Sequence, residues 1–228
     1  MLSTILLQAV EAVEATAQTQ QEMSLMDLAL AGGWIMIPLA LLLIIAVYII
    51  IERYVVLRRA SQEDTSFMNR IKDYIFEGKV ESAINLCKQT DTPSARMIEK
   101  GISRLGRPMN DVLVAIENVG NLEVGKLENG LGLLATIAGG GPMIGFFGTV
   151  IGMVQAFSEV ASNGNTIALD DLAAGIYTAM VTTVAGLFVG IVAYFGYNYL
   201  VLRVDKIMHN LEARNVEFLD MLNEPAAK

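Results

Sequence analysis

The chain is poor in the residues that most chemistry needs. It has one cysteine, Cys87, and one histidine, His209. A lone cysteine excludes an intrachain disulfide framework. A lone histidine with no cysteine near it excludes the ligand spacings of zinc sites. No nucleophile–base motif and no phosphate-binding lysine loop occurs, so neither an enzyme nor a bound metal or cofactor is expected. A net charge of −8, with no basic patch interleaved with aromatics, argues against nucleic acid as a partner. Charge of any sign is scarce: 18% of the 228 residues are charged and 54% are apolar. Lysine and arginine are missing altogether from Met1 to Glu52 and again from Leu127 to Leu202.

What is present is long apolar runs. Leu28–Ile51, Asn129–Ser158 and Leu172–Leu202 contain no Asp, Glu, Lys, Arg or His. A hydrocarbon core of about 30 Å needs roughly 20 helical residues, so each run is long enough to cross it. The predicted fold is all-α, with three transmembrane helices. All sixteen basic residues fall in two stretches, twelve between Arg53 and Lys126 and four between Arg203 and Lys228. The positive-inside rule places those stretches in the cytoplasm. The predicted order is therefore a periplasmic segment 1–27, a first span 28–51 and a cytoplasmic helical region 52–128. A second span 129–158, a periplasmic loop 159–171, a third span 172–202 and a cytoplasmic C-terminal helix 203–228 follow. Trp34, Tyr48 and Tyr54 around the first span, and Tyr194, Tyr197 and Tyr199 late in the third, suit interfacial aromatic belts.

Leu2–Val10 is apolar, but no basic region precedes it and Glu11 and Glu14 follow, which reads as an outer amphipathic helix rather than a signal peptide. Glu159, Asp170 and Asp171 read as a solvated outer loop. In the cytoplasmic region, Ser61-Gln62-Glu63-Asp64 offers N-cap chemistry before Phe67, Ile71 and Ile75. Gly78 is expected to stop that helix. Thr92-Pro93-Ser94 opens another, with proline suited to its first turn and Met97, Ile98, Ile102 and Leu105 as its apolar stripe. Gly106 ends it, and Pro108 opens a helix that is expected to run directly into the second span. Beyond the third span, Val204, Ile207, Met208, Leu211, Phe218 and Leu222 recur at helical steps. That stripe predicts a continuation of the third membrane helix, packed on the 52–128 helices of this chain or of a neighbouring copy. Cys87 is expected to be buried packing.

The second and third spans carry the distinctive pattern. Gly139-Gly140-Gly141-Pro142 is expected to break or kink the start of the second span. Gly141, Gly145, Gly148 and Gly152 then follow at helical spacing and make a smooth face, which lets helices approach closely in lipid. Ala179, Thr183, Gly186 and Gly190 form a similar stripe on the third span. Thr149 borders the first face, and Thr178 and Thr182 form a hydroxyl pair one turn apart. These hydroxyls either bond their own helix's carbonyls or line a polar cavity, and the pattern alone leaves both open.

At these residues the chain resembles a known family. Pro142-Met143-Ile144-Gly145-Phe146-Phe147-Gly148-Thr149-Val150-Ile151-Gly152-Met153, followed by Ala156-Phe157, is similar to the second-helix motif of the ExbB/TolQ/MotA proton-channel family. That motif is a proline, an apolar pair, then Gly-Leu-Leu-Gly-Thr-Val-x-Gly-Met. Gly175-Ile176, Ala179, Thr183, Gly186-Leu187, Ile191 and Tyr197-Asn198 are similar to the family's third helix in order and spacing. Three spans with a large insert after the first match the ExbB/TolQ branch, whereas MotA-type stators have four. The resemblance runs from about Gly33 onward. Phe146-Phe147 departs from the usual leucine pair, Val192 stands where many relatives have proline, and Thr178 stands where ExbB-like relatives often carry glutamate.

The resemblance implies an ExbB-like subunit of a proton-driven motor in the bacterial inner membrane, coupling proton-motive force to a TonB-type transducer for outer-membrane transport. A TolQ-like subunit and a non-conducting membrane scaffold are the alternatives. It implies a homopentameric ring with Thr149, Thr183, Thr178 and Thr182 along the proton pathway. Gly141, Pro142, Gly145, Gly148, Gly152, Gly186 and Gly190 would pack the helices. Intramembrane ionisable residues mark proton pathways, and the three spans contain none. The implied carboxylate donor is an ExbD- or TolR-like single-span partner with a membrane aspartate, acting on a TonB- or TolA-like transducer.

Overall fold

A computed structural model describes residues 31–61, 66–162 and 169–223. Among the described residues there are helices and turns and no strand. The elements are α1 (Met36–Ala60), α2 (Phe67–Phe76), α3 (Val80–Thr90), α4 (Pro93–Ile102), α5 (Met109–Glu128), α6 (Leu131–Ser162) and α7 (Leu169–Asn223), with a 3-10 turn at Gly33–Ile35 before α1. Three helical stretches, Gly33–Ala60, Met109–Ser162 and Leu172–Asn223, are long and apolar enough to cross a membrane. The expected amphipathic helix at 2–10, the capping residues Gln62, Glu63 and Asp64, and residues 163–168 of the expected 159–171 loop lie outside the described residues; of the rest of that loop, 159–162 belong to α6 and 169–171 to α7.

The described residues pack as two units. One takes the described residues up to Leu39 together with Ile144–Gly186. The other takes Ala40–Met143 and the residues from Leu187 onward.

The larger unit holds the cytoplasmic-type helices that the sequence predicts. Gly78 has φ +74°, a left-handed turn that glycine adopts without steric cost, and it separates α2 from α3. Thr92 caps α4: its Oγ1 accepts a hydrogen bond from the Ala95 amide at 3.3 Å, with Pro93 in the first turn. Cys87 is fully buried, and burial pushes its thiol up to about 12, so it packs as an inert small side chain. The C-terminal part of α7 packs on α4 and α5 of the same chain. Val204, Ile207, Leu211 and Phe218 are buried, and Met221 is buried beside a half-buried Leu222. Gly101 allows this closeness: a Cβ there would lie 2.6 Å from the Phe218 ring and 2.8 Å from Ile116 Cδ1.

Two expectations about helix boundaries need correction. The helix opened by Pro108 does not run into the second span. It ends at Glu128, Asn129 takes an extended ψ of 135°, and Gly130 has φ +81°. Arg53 of α1 sits at this break. Its Nη1 donates to the Lys126 carbonyl at 3.2 Å, placing a cation on a helix C-terminus where carbonyls lack intrahelical partners. Conversely, Gly139-Gly140-Gly141-Pro142 does not break the second span: α6 is helical from Leu131 through Pro142 to Ser162. Proline removes the bond to the Ala138 carbonyl and crowds it. Gly190 of α7 packs directly against this point. A Cβ at Gly190 would lie 2.5 Å from Pro142 Cγ and 3.1 Å from the Ala138 oxygen, so the bare glycine backbone accommodates the proline ring.

Phe218→Ala is expected to destabilise this unit by about 3–5 kcal/mol, the usual cost of emptying a buried aromatic site. Chemical denaturation of the detergent-solubilised protein, followed by helical circular dichroism, measures it.

Candidate functional site

The candidate site is the pair of α6 and α7 segments within Ile144–Gly186. Gly145, Gly148, Gly152 and Ala156 recur every three or four residues on α6, and all are buried. They face Gly175, Ala179, Thr182, Thr183 and Gly186 of α7. A Cβ at Gly145 would lie 2.9 Å from the Thr182 carbonyl oxygen and 3.0 Å from Gly186 Cα. One at Gly152 would lie 3.1 Å from the Gly175 oxygen. The contacts are backbone to backbone. In lipid, where helices gain nothing from excluding water, such close approach supplies the attraction. Gly141 is buried on the same helix, one turn before Gly145.

The four threonines do not share one environment. Thr182 is 1% exposed; its Oγ1 donates to the Ala179 carbonyl at 2.8 Å, and its side chain fills the space left by Gly148. It acts as a packing residue. Thr183 reaches across the helix pair, donating to the Gly145 carbonyl at 3.4 Å, a long and weak bond. Thr149 donates to its own helix at Phe146 O, 2.6 Å. It lines an open, mostly apolar depression of about 430 Å³ with Val150, Met153, Val154 and Phe157. Thr178 is half-buried, with no hydrogen-bond partner among the described residues. A threonine hydroxyl that donates to a carbonyl keeps its lone pairs, so Thr149 and Thr183 can still accept from water or from a protonated carboxyl. The apolar side chains around this pair are widely exposed, including Phe146, Phe147, Met180 and Val184. Such a surface suits lipid or neighbouring helices.

Sequence reasoning missed a second polar feature, in the cytoplasmic-type helices. Glu123 of α5 is 3% exposed. It accepts from Arg96 Nη2 and from Lys126 Nζ, each at 2.6 Å, and Arg96 also binds Asp91. Burial alone raises the Glu123 carboxyl, but the hydrogen bonds from Arg96 and Lys126 outweigh it and hold the group below the usual carboxylate range. The available sequence signal was an acid on the apolar side of α5, one turn from Gly120 and two from Ile116.

The helices and their exposed apolar faces define a polytopic α-helical membrane protein. Residues 89–213 match the MotA/TolQ/ExbB proton channel family, more than half of the chain. The chain belongs to that family, a family of proton channels and not of enzymes. It is 30% identical over 183 residues to a biopolymer transport protein ExbB homologue of Methanothermobacter thermautotrophicus, covering 80% of this chain and 64% of the relative. It is 40% identical over 106 residues to the Tol-Pal system protein TolQ of Haemophilus influenzae, 46% of each chain. With the biopolymer transport protein ExbB of Neisseria meningitidis serogroup A it shares 26% identity over 180 residues, 73% of this chain and 80% of the relative. The match thus spans less than two thirds of the length of the first two relatives.

Two outcomes are expected. Gly145→Val drives a branched side chain into α7 backbone that cannot yield, costing about 1–3 kcal/mol; it is read as a lower thermal midpoint in detergent. For Glu123, the folded carboxyl binds its proton more weakly than the unfolded one, so its stabilisation is full above about pH 4.3 and is lost as pH falls through the lower folded value. Glu123→Gln should therefore cost about 1–3 kcal/mol near neutral pH. Its deficit against the unsubstituted protein should shrink as pH drops below 4 in denaturation measured across pH.

Proposed function

We propose that this chain is an ExbB-like subunit of a proton-driven motor in the bacterial inner membrane. Several copies, five as the family resemblance implies, form a ring whose inner wall is built by α6 and α7. Two helices of an ExbD- or TolR-like partner, each bearing a membrane aspartate, occupy the centre. The observation that carries this reading is the close pairing of α6 and α7 in a member of a proton channel family, with hydroxyls and no charged side chain along the facing stretches Gly145–Ala156 and Gly175–Gly186.

The chemistry follows from that wall. A carboxylate in a low-dielectric cavity is costly to keep charged, so its proton affinity rises there. Thr149 and Thr183 accept hydrogen bonds from the protonated acid or from the waters that deliver its proton. Protonation removes the charge and frees the partner helices to shift against the ring, and the proton leaves on the other side. Thr178 stands on the same helix as Thr183 and extends the hydroxyl path, while Thr182 holds the wall together. In the proposed orientation the N-terminus is periplasmic and the C-terminus cytoplasmic, because the basic residues lie between Arg53 and Lys126 and after Leu202. The motion is passed to a TonB-like transducer that spans the periplasm. A TolQ-like role with a TolA-like transducer is the second reading, favoured by the 40% identity to a TolQ protein over 106 residues.

Thr149→Val and Thr183→Val each remove one hydroxyl at nearly constant shape. Each is expected to reduce proton flux in vesicles carrying the chain with its partner by about 10- to 100-fold, the worth of a hydrogen bond to a charged group. Native mass spectrometry should show the same subunit count as the unsubstituted complex. Unchanged flux in both variants would remove the threonines from the pathway. A ring that binds no aspartate-bearing partner would favour the scaffold.

A further inference from the structure

A cavity of about 380 Å³ lies where the charge-free runs of α1 and α7 end. Arg58, Arg203 and Lys206 line it together with Tyr54 and Ser61. Leu57 and Leu200 form part of its apolar floor. The first span's charge-free run ends at Ile51 and the third's at Leu202, so the cavity begins where the helices change from apolar to basic. On the apolar side of it, Tyr48, Ile51 and Leu202 are widely exposed.

The charges are arranged to receive rather than to pair. Neither Arg58 nor Lys206 has an ion-pair partner among the described residues, and no carboxylate among them lines the cavity. Arg203 is held in place by Tyr199, whose hydroxyl accepts from Nε at 3.1 Å and from Nη2 at 2.8 Å. The guanidinium lies 5.3 Å from the centre of the Tyr199 ring. Tyr199 in turn packs on Tyr54, with ring centroids 6.3 Å apart. Two hydrogen bonds to one hydroxyl leave the remaining N–H donors of Arg203 available to an anion. Nearby, Glu52 is occupied by Arg53 at 2.9 Å.

We infer that this cavity binds the phosphate headgroup of an anionic phospholipid. The phosphate would lie among Arg58, Arg203 and Lys206, and Tyr54 and Ser61 would donate to its ester oxygens or to the headgroup hydroxyls. The glycerol and upper acyl carbons would rest on Leu57 and Leu200. Arginine suits the phosphate because its planar donors match two oxygens at once. Juxtamembrane basic pockets between membrane helices recognise acidic lipids on the same terms. The apolar floor and the exposed apolar surface next to it favour a lipid over a free phosphate ion, whose binding would need no such surface. This inference requires only that the helices lie in a bilayer, and is independent of proton conduction.

The test uses the full chain, purified in a neutral detergent and stripped of lipid. It is mixed with equal amounts of phosphatidylglycerol and phosphatidylcholine of matched acyl chains and read by native mass spectrometry. Phosphatidylglycerol should be retained over phosphatidylcholine, and an excess of inorganic phosphate should not displace it. The double variant Arg58→Gln with Arg203→Gln should retain about tenfold less or lower. The control Arg59→Gln, which removes a positive charge outside the cavity, should retain as much as the unsubstituted chain. Lysine at both positions, Arg58→Lys with Arg203→Lys, should restore most of the retention. Equal retention of the two lipids would overturn the assignment, as would an equal loss in the Arg59→Gln control. Displacement by inorganic phosphate would replace the lipid with the free ion. The lipid and phosphate competitions need no variant, so a double variant that fails to fold leaves both decisive.

Discussion

The close approach of two helix backbones is the constraint on which the candidate site depends. Within Ile144–Gly186, glycines of α6 meet the backbone of α7 at distances that exclude any side chain. A membrane gives apolar side chains no reason to leave lipid for one another, so attraction must come from dense atomic contact and short polar contacts. Removing Cβ atoms permits both. The same closeness brings the Gly145 carbonyl within reach of the Thr183 hydroxyl. Larger residues on the α6 face would push the helices apart and carry the hydroxyls with them.

Away from that pair, the larger unit solves a different problem. Its helices must leave a membrane-type environment and pack where water is present, so their apolar stripes are covered by one another. Phe218 of α7 fills the space that Gly101 of α4 leaves. Buried charge is managed locally: Glu123 is accepted into the interior because Arg96 and Lys126 meet both of its oxygens. A buried carboxylate without such partners would carry a desolvation cost of several kcal/mol. Arg53 plays a comparable role at the α5–α6 break, joining a helix C-terminus to α1.

The contrast between these two polar settings bears on the proposed motor. Along the facing stretches Gly145–Ala156 and Gly175–Gly186 no side chain carries a charge, so the proposed wall can solvate a proton carrier without holding a charge of its own. In the larger unit the buried carboxylate of Glu123 is paired and fixed by Arg96 and Lys126. A titrating group that belongs to a partner can then change state while the wall around it stays constant. The basic cavity lies at the ends of the α1 and α7 apolar runs, where the helices change from apolar to basic.

The sequence by itself determined that the chain is helical and crosses a membrane. Those properties depend on the length of charge-free runs and on period, and both are local. It also determined the family, because the Gly145–Gly148–Thr149–Gly152 spacing is a pattern in one dimension. The caps at Thr92 and the turn at Gly78 were legible for the same reason, since cap and turn chemistry involves neighbours in the chain. Tertiary structure decided what depends on residues far apart. Gly139-Gly140-Gly141-Pro142 looked like a break, yet α6 continues through it, and Gly190, distant in sequence, leaves room for the proline ring. The helix after Pro108 looked continuous with the second span, yet it stops where Gly130 turns and Arg53 caps it. The four threonines looked alike until packing separated a wedged Thr182 from a cross-helix Thr183. Glu123 lies on the apolar side of α5, but one of the two cations that make its burial tolerable, Arg96, lies 27 residues away in the chain and was not legible.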